Sequence, residues 1–192
     1  MDKGNKGKED ESSLSAEGMG YRNEIDYRCK ELQIPRKNLK LWMERYFRAY
    51  KREHRKMELN PSYRSDATPE ELCNALYEIL IGDNKDNGLT GRNIVKEMFR
   101  TSWFQAEMDE ALCDLQSFNE FGDIYYDIIE DVYLAERPVS EKDICGKHLL
   151  SHSSYYRRRE EALRVCAITL WARCLKIMDF EVKRLEYIAT YS

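Results

Sequence analysis

Chain breakers are scarce in this sequence. Its 192 residues include only 4 Pro and 9 Gly, too few to punctuate a turn-rich β fold, so an all-α fold is expected. Long apolar runs are also missing. No stretch of 18 apolar residues occurs, and the first residues carry no charged-then-apolar leader. A soluble, cytoplasmic protein with no membrane partner is therefore expected. The 6 cysteines (Cys29, Cys73, Cys113, Cys145, Cys166, Cys174) are scattered and form no C-x-x-C pair. A chain of this length needs no disulfide staples, so reduced thiols are expected. Gly-rich phosphate loops are absent. Acid pairs such as Asp109-Glu110 and Glu130-Asp131 have no His or nucleophile at useful spacing, so neither an enzyme nor a cofactor is expected.

Apolar residues make up 42% of the chain and aromatics 11%, enough for a real hydrophobic core. The formal net charge of −4 hides a strong segregation. Between Arg36 and Lys56 nine Lys or Arg stand against Glu44 and Glu53, whereas between Glu97 and Asp131 ten acids accompany Arg100 alone. A mildly acidic total does not exclude an anionic partner when cations are grouped in this way. The acidic stretch is either a solvated face or a docking surface for a basic partner.

Residues 1–20 are polar, Gly/Ser-rich and without apolar period, the composition of a disordered tail. A short helix is expected around Tyr21–Leu32, and Pro35 begins a stronger one. In that second helix Leu39, Trp42, Met43, Tyr46, Phe47 and Tyr50 recur at helical spacing and mark a core stripe. Arg45, Arg48, Arg52 and Arg55 occupy its back, either as a plain solvated face or as a second, phosphate-facing basic surface. Thr68, Pro69 and Glu71 spell a helix start with a capping box ahead of Leu72, Ala75, Leu76 and Ile79. "GDNKDNG" imitates a calcium loop, but Lys85 and Ile94 stand where ligands are required. A division near Asn84–Gly88 separates a basic helical region at 21–84 from a C-terminal helical domain at 89–180, with a tail at 181–192. Helices are expected at Thr90–Thr101, Trp103–Gln116 and Asn119–Glu136.

Chemistry concentrates in "RPVSEKDICGKHLLSHSSYYRRREEALRVCAITLW", from Arg137 to Trp171. Ser140 to Asp143 is a capped helix start, so a short helix is expected over Glu141–His148. A break at Leu149–His152 follows, and Ser151 or Ser153 caps a long helix that reaches Met178. Two helices joined by a few residues, the second cationic in its first turns, form a helix-turn-helix at 140–163. The positive end of the second helix suits a DNA major groove. The spacing of Tyr155, Ala162, Leu163 and Cys166 buries that face, and Arg157 and Arg158 are expected to point outward. Tyr156 can turn either way, with its hydroxyl within reach of a phosphate. Zinc at Cys145, His148 and His152 is not expected, because the helix break separates the two histidines and no fourth ligand is evident.

The run Val132-Tyr133-Leu134, Arg137-Pro138-x-Ser140-x-x-Asp143-Ile144, then Leu150-Ser151-x-Ser153-Ser154-Tyr155-Tyr156-Arg157-Arg158-x-x-x-Ala162-Leu163 resembles the C-terminal part of the ArpU/RinA family. These are phage-encoded transcription regulators whose helix-turn-helix is similar to region 4 of sigma factors. The resemblance covers roughly Asn119–Trp171. It implies a sequence-specific regulator of phage or prophage type acting on double-stranded DNA in a bacterial cytoplasm. Arg157 and Arg158 would contact bases or phosphates, with Ser153, Ser154 and Tyr156 beside them and Lys147, Arg159 and Arg164 on phosphates. RNA polymerase and a second copy of the chain are candidate partners, since Ala162–Phe180 is apolar on nearly all sides and must be enclosed or shared in a homodimer. Two features depart from the pattern. Leu149 holds the turn position usually given to Gly, so the turn is expected to be shifted or lengthened; His148 replaces an apolar core residue. A terminase small-subunit-like packaging protein, or a protein-interaction module such as a phage-encoded inhibitor of a host protein, uses similar shapes.

Overall fold

The structure of the chain, a computed structural model, describes the backbone of residues 26–31, 34, 36–60, 62, 65, 67–81 and 88–191. The expected tail at 1–20 lies outside the described residues, as does the polar break at 82–88 except for Gly88, which begins a helix. Helices account for almost all of the rest, and no strand occurs among the described residues. The fold is all-α. A helical stretch at 26–31 (α1) precedes α2 (Arg36–Leu59), α3 (Pro69–Ile81), α4 (Gly88–Arg100), α5 (Ser102–Gln116) and α6 (Gly122–Ile129). A π-helical turn, Glu130–Leu134, extends α6; α7 (Glu141–Lys147) and α8 (His152–Tyr191) complete the order.

The central element is α8, which touches α2, α3, α5, α6 and α7. From Ala162 to Trp171 nearly every side chain is buried. The first half of the stretch that is apolar nearly all round, Ala162–Trp171, is therefore enclosed within one chain, which removes that part as a dimer face. At 40 residues α8 spans about 60 Å and continues past the expected end at Met178, because 179–191 contains neither Pro nor Gly to stop it. One core runs from Cys29 and Ile34 through α2, α3, α4, α5 and α6 to Cys174, so residues on both sides of the 82–87 break share it.

Local signals explain most helix starts. At α3, Thr68 N–H donates to Glu71 Oε2 (2.9 Å) and Glu71 N–H to Thr68 Oγ1 (3.2 Å), the reciprocal capping box. On α2, Leu39, Trp42, Met43, Tyr46 and Phe47 are all buried, and Tyr46 stacks on Phe99 at 4.4 Å between ring centroids. The helix expected over Asn119–Glu136 begins later, because Asn119 organises a turn: its Oδ1 accepts from Phe121 N–H and its carbonyl from Gly122 N–H. Gly122 is required there, since a Cβ would sit 2.0 Å from the carbonyl oxygen of Gln116. In the π turn, Ala135 N–H reaches the Glu130 carbonyl (2.8 Å), and Tyr133 is buried against Phe47.

Candidate nucleic-acid interface

Two helices, α7 and α8, joined by a short turn stand where the sequence places its candidate helix-turn-helix. Ser140 is the N-cap of α7: its Oγ accepts from Asp143 N–H (3.2 Å) and its hydroxyl donates to Asp143 Oδ2 (2.6 Å). After seven residues α7 stops at His148. Leu149 then adopts φ 52°, the left-handed conformation usually given to glycine. The expectation of a shifted or longer turn is thus corrected: the turn keeps its place and Leu149 takes the strain. Two contacts hold it there. Leu150 N–H donates to the Cys145 carbonyl (2.9 Å), and Leu150 packs with Ile144, the hydrogen bond and apolar contact of a Schellman C-cap. Leu149 itself is 93% exposed.

Ser151 caps α8, accepting at Oγ from Ser154 N–H (3.2 Å) and at its carbonyl from Tyr155 N–H (2.9 Å). Tyr155, buried as expected, joins Ile128 and Ile144 in a small second core, flanked by Ile124, Val132, Cys145 and Leu150. This core fixes α7 and the start of α8 on α6 and the π turn. His148, in the position expected to be apolar, is half-buried with Nε2 3.1 Å from Asp127 Oδ2; their mutual orientation does not make a hydrogen bond. His152 pairs instead with Glu141 (3.0 Å). The two histidines face different carboxylates, not one another.

The cations of the α8 start are distributed differently from the sequence expectation. Arg158 does not point outward. It is 4% exposed, donates from Nη1 to Glu161 Oε2 at 2.7 Å and lies 3.3 Å above the centre of the Phe121 ring. The reason is the helical period: Arg158 is three residues from Tyr155 and four from Ala162, on the core row. Arg159 is half-buried. Its Nε and Nη2 donate to the Tyr133 hydroxyl (3.0 and 2.6 Å), and Nη2 also reaches Glu44 Oε1 on α2 (3.4 Å). Arg164 pairs with Glu160 one turn back. Lys147 is exposed but tied to Asp127 (2.8 Å) and Asp131 (3.5 Å), and the Asp127 hydrogen bond raises its pKa above the ordinary lysine value.

What remains at the surface is narrower. His152, Ser153 and Tyr156 are exposed, and Ser154 and Arg157 are half-buried. The Tyr156 hydroxyl donates to Glu141 Oε2 (2.8 Å), a bond that holds its proton above the usual tyrosine range. Arg157 makes no ion pair among the described residues, and its Nε is buried without a partner. Arg137 and Lys142, both exposed at the approach to and first turn of α7, are also without a carboxylate partner among the described residues. Their exposure next to a capped helix start was the available signal, masked by the denser Arg157–Arg159 run.

On α2 the four arginines of the second basic surface, Arg45, Arg48, Arg52 and Arg55, are all exposed, opposite the buried stripe. Two of the three acids of this helix turn inward, Glu53 fully buried and Glu44 half-buried against Arg159, while Glu58 is exposed beside His54. Among the described residues no helix is long and apolar enough to cross a membrane. No protein-family model matches this chain, and no curated protein or solved structure matches it.

Proposed function

We propose that the chain is a sequence-specific DNA-binding transcription regulator of phage type, reading the major groove with the first turns of α8. One observation carries this: a Ser-capped helix start stands free on its own small core, with the uncompensated guanidinium of Arg157 beside exposed Ser153 and Tyr156. The helix end offers positive potential and N–H groups, and Arg157 offers the donor fork that fits guanine O6 and N7. Arg137 and Lys142 add positive charge for flanking phosphates. The resemblance of 119–171 to the ArpU/RinA regulators supports the same use. Arg158, Arg159 and Arg164 shape the domain in this scheme and are not contacts.

Selection of bound fragments from random duplex, followed by sequencing, tests the proposal: an enriched motif is expected. Arg157→Ala then weakens binding to that motif by about 1–3 kcal/mol and relaxes the preference for one base. Equal weakening on random duplex would make Arg157 a phosphate contact. A second reading, a protein-interaction module, is favoured by the internal pairing of three of the four arginines near the α8 start. Absence of duplex affinity even at low salt would select it over the regulator. RNA polymerase and a second copy of the chain remain proposed partners of the regulator; a homodimer would use a surface other than the enclosed middle of α8.

A further inference from the structure

We infer that the arginine stripe of α2 is a distinct phosphate-binding track for duplex DNA, supplying affinity without sequence preference beside the groove-reading start of α8. The inference rests on the proposed function only for the identity of the ligand. Arg45, Arg48, Arg52 and Arg55 recur at steps of three and four along one face. The stripe spans ten residue steps, about 15 Å of helix, and duplex DNA presents one charge per about 1.7 Å of axis. Arg48 and Arg52 are 71% and 66% exposed, and Arg45 and Arg55 have no carboxylate partner among the described residues.

The neighbouring acids cancel this charge only in part: Glu58 is exposed and meets His54 at 3.5 Å, and the other two acids of α2 lie inward. Glu53 lies beneath the stripe, held by Arg52 Nε (2.8 Å) and Lys56 Nζ (3.0 Å). Glu44 is drawn toward α8, where it meets Arg159 at 3.4 Å and Arg48 at 4.0 Å. Glu44 also joins the two surfaces: the stripe passes directly beside the second turn of α8. Rigidity follows from the buried opposite face, so the guanidinium groups are carried on a fixed rod. Arginine rather than lysine at all four positions suits bidentate phosphate contact. An anionic lipid surface fits less well. Membrane-binding faces carry aromatic or leucine anchors beside their cations. The aromatic residues Trp42, Tyr46 and Phe47 of α2 are locked in the core, and the two exposed leucines of the arginine face, Leu41 and Leu59, stand at its opposite ends, about 27 Å apart along the helix, too far to form one apolar patch.

The test uses the full chain, a random-sequence duplex and a salt titration of binding. Replacing all four arginines with Gln is expected to flatten the slope of log affinity against log salt by about 3.6, at about 0.9 per phosphate contact. Between about 50 and 200 mM salt the unaltered protein then loses about 100-fold more affinity than the variant. The corresponding four Arg→Lys changes are expected to keep most of the slope. Should the fourfold Gln variant unfold, R45Q/R55Q is measured instead, with a slope change of about 1.8 expected. An unchanged slope in a folded variant overturns the inference. So does a variant that keeps duplex affinity but loses binding to phosphatidylserine-containing vesicles. Absence of duplex binding by the unaltered protein overturns this inference and the proposed function together. Loss in the α2 variant with full binding and selectivity in Arg157→Ala leaves the track standing and removes the α8 site.

Discussion

Arg158→Ala separates the buried from the exposed assignment of this residue most sharply. In the folded chain its guanidinium lies on the Phe121 ring and donates to Glu161, both side chains being almost fully buried. Glu161 also accepts from the Tyr125 hydroxyl at 3.1 Å, which ties α6 to α8. Truncation leaves the Glu161 carboxylate in the interior without this cation. Breaking a buried pair from one side costs about 3–5 kcal/mol, and the cation–π contact is part of that figure. For a chain of this size each kcal/mol moves Tm by about 2–4 °C, so a fall of about 6–20 °C is expected in far-UV circular dichroism melts. Arg158→Met combined with Glu161→Gln removes both charges while keeping an acceptor for Tyr125, and is expected to recover at least half of the loss. A folded Arg158→Ala protein with unchanged Tm and a reduced salt slope on DNA would place the guanidinium in solvent and refute the reasoning.

Four further outcomes follow from the same geometry. Leu149→Gly relieves a left-handed conformation that costs an L-residue about 1–2 kcal/mol, partly offset by the greater unfolded freedom of Gly, so Tm is expected to rise by a few degrees; a fall would show that Leu149 is not strained. Gly122→Ala drives a Cβ into the backbone of Gln116, and urea unfolding should show a loss of about 1–3 kcal/mol, against no change if α6 can move away. Burial raises the Glu53 carboxyl, but hydrogen bonds from Arg52 and Lys56 outweigh it and hold the pKa below the ordinary 4.5. The stabilisation is therefore present above that value and lost as pH falls through the lower folded pKa, so the advantage over Glu53→Gln in urea melts should shrink on acidification below about pH 4.5. Burial pushes the Cys166 thiol up to about 12 while Cys113 is exposed; maleimide labelling read by mass spectrometry should modify Cys113 first and Cys166 only on unfolding, the reverse order contradicting the packing.

Local patterns carried most of the fold into the sequence. The α2 stripe repeats at helical period over three turns, and the Thr68–Glu71 and Ser140–Asp143 caps are chemical signatures of a helix start, independent of distant partners. Tyr155 was legible for the same reason. Arg158 was not, because charge and period disagreed. Its period placed it on the core row, but its side chain requires an acid and an aromatic ring to be buried. Glu161 was visible three residues away; Phe121 comes from another helix and is near only after folding. Leu149 is the converse case. Sterics argue against φ > 0 for Leu, yet the Leu150–Cys145 hydrogen bond and the packing of Leu150 on Ile144 outweigh the local preference. The delayed start of α6 depends on the Asn119 turn and on how closely Gly122 meets Gln116, which no periodicity records.

The internal pairing of the α8 arginines changes where positive charge meets solvent. A sequence count places the densest cations at Arg157–Arg159, but two of these three serve Glu161, Tyr133 and Glu44. Solvent instead meets Arg157, Arg137 and Lys142 around the helix-turn-helix and the arginine row of α2. Few side chains remain exposed at the α8 start, whereas the α2 row carries four exposed arginines on a rigid support. Under the proposed function, the first surface suits discrimination between sequences and the second raw affinity. Arg159 and Glu44 stand between the two surfaces and pair with each other, so the spacing of the surfaces is set by the same contact that neutralises the charges at their junction.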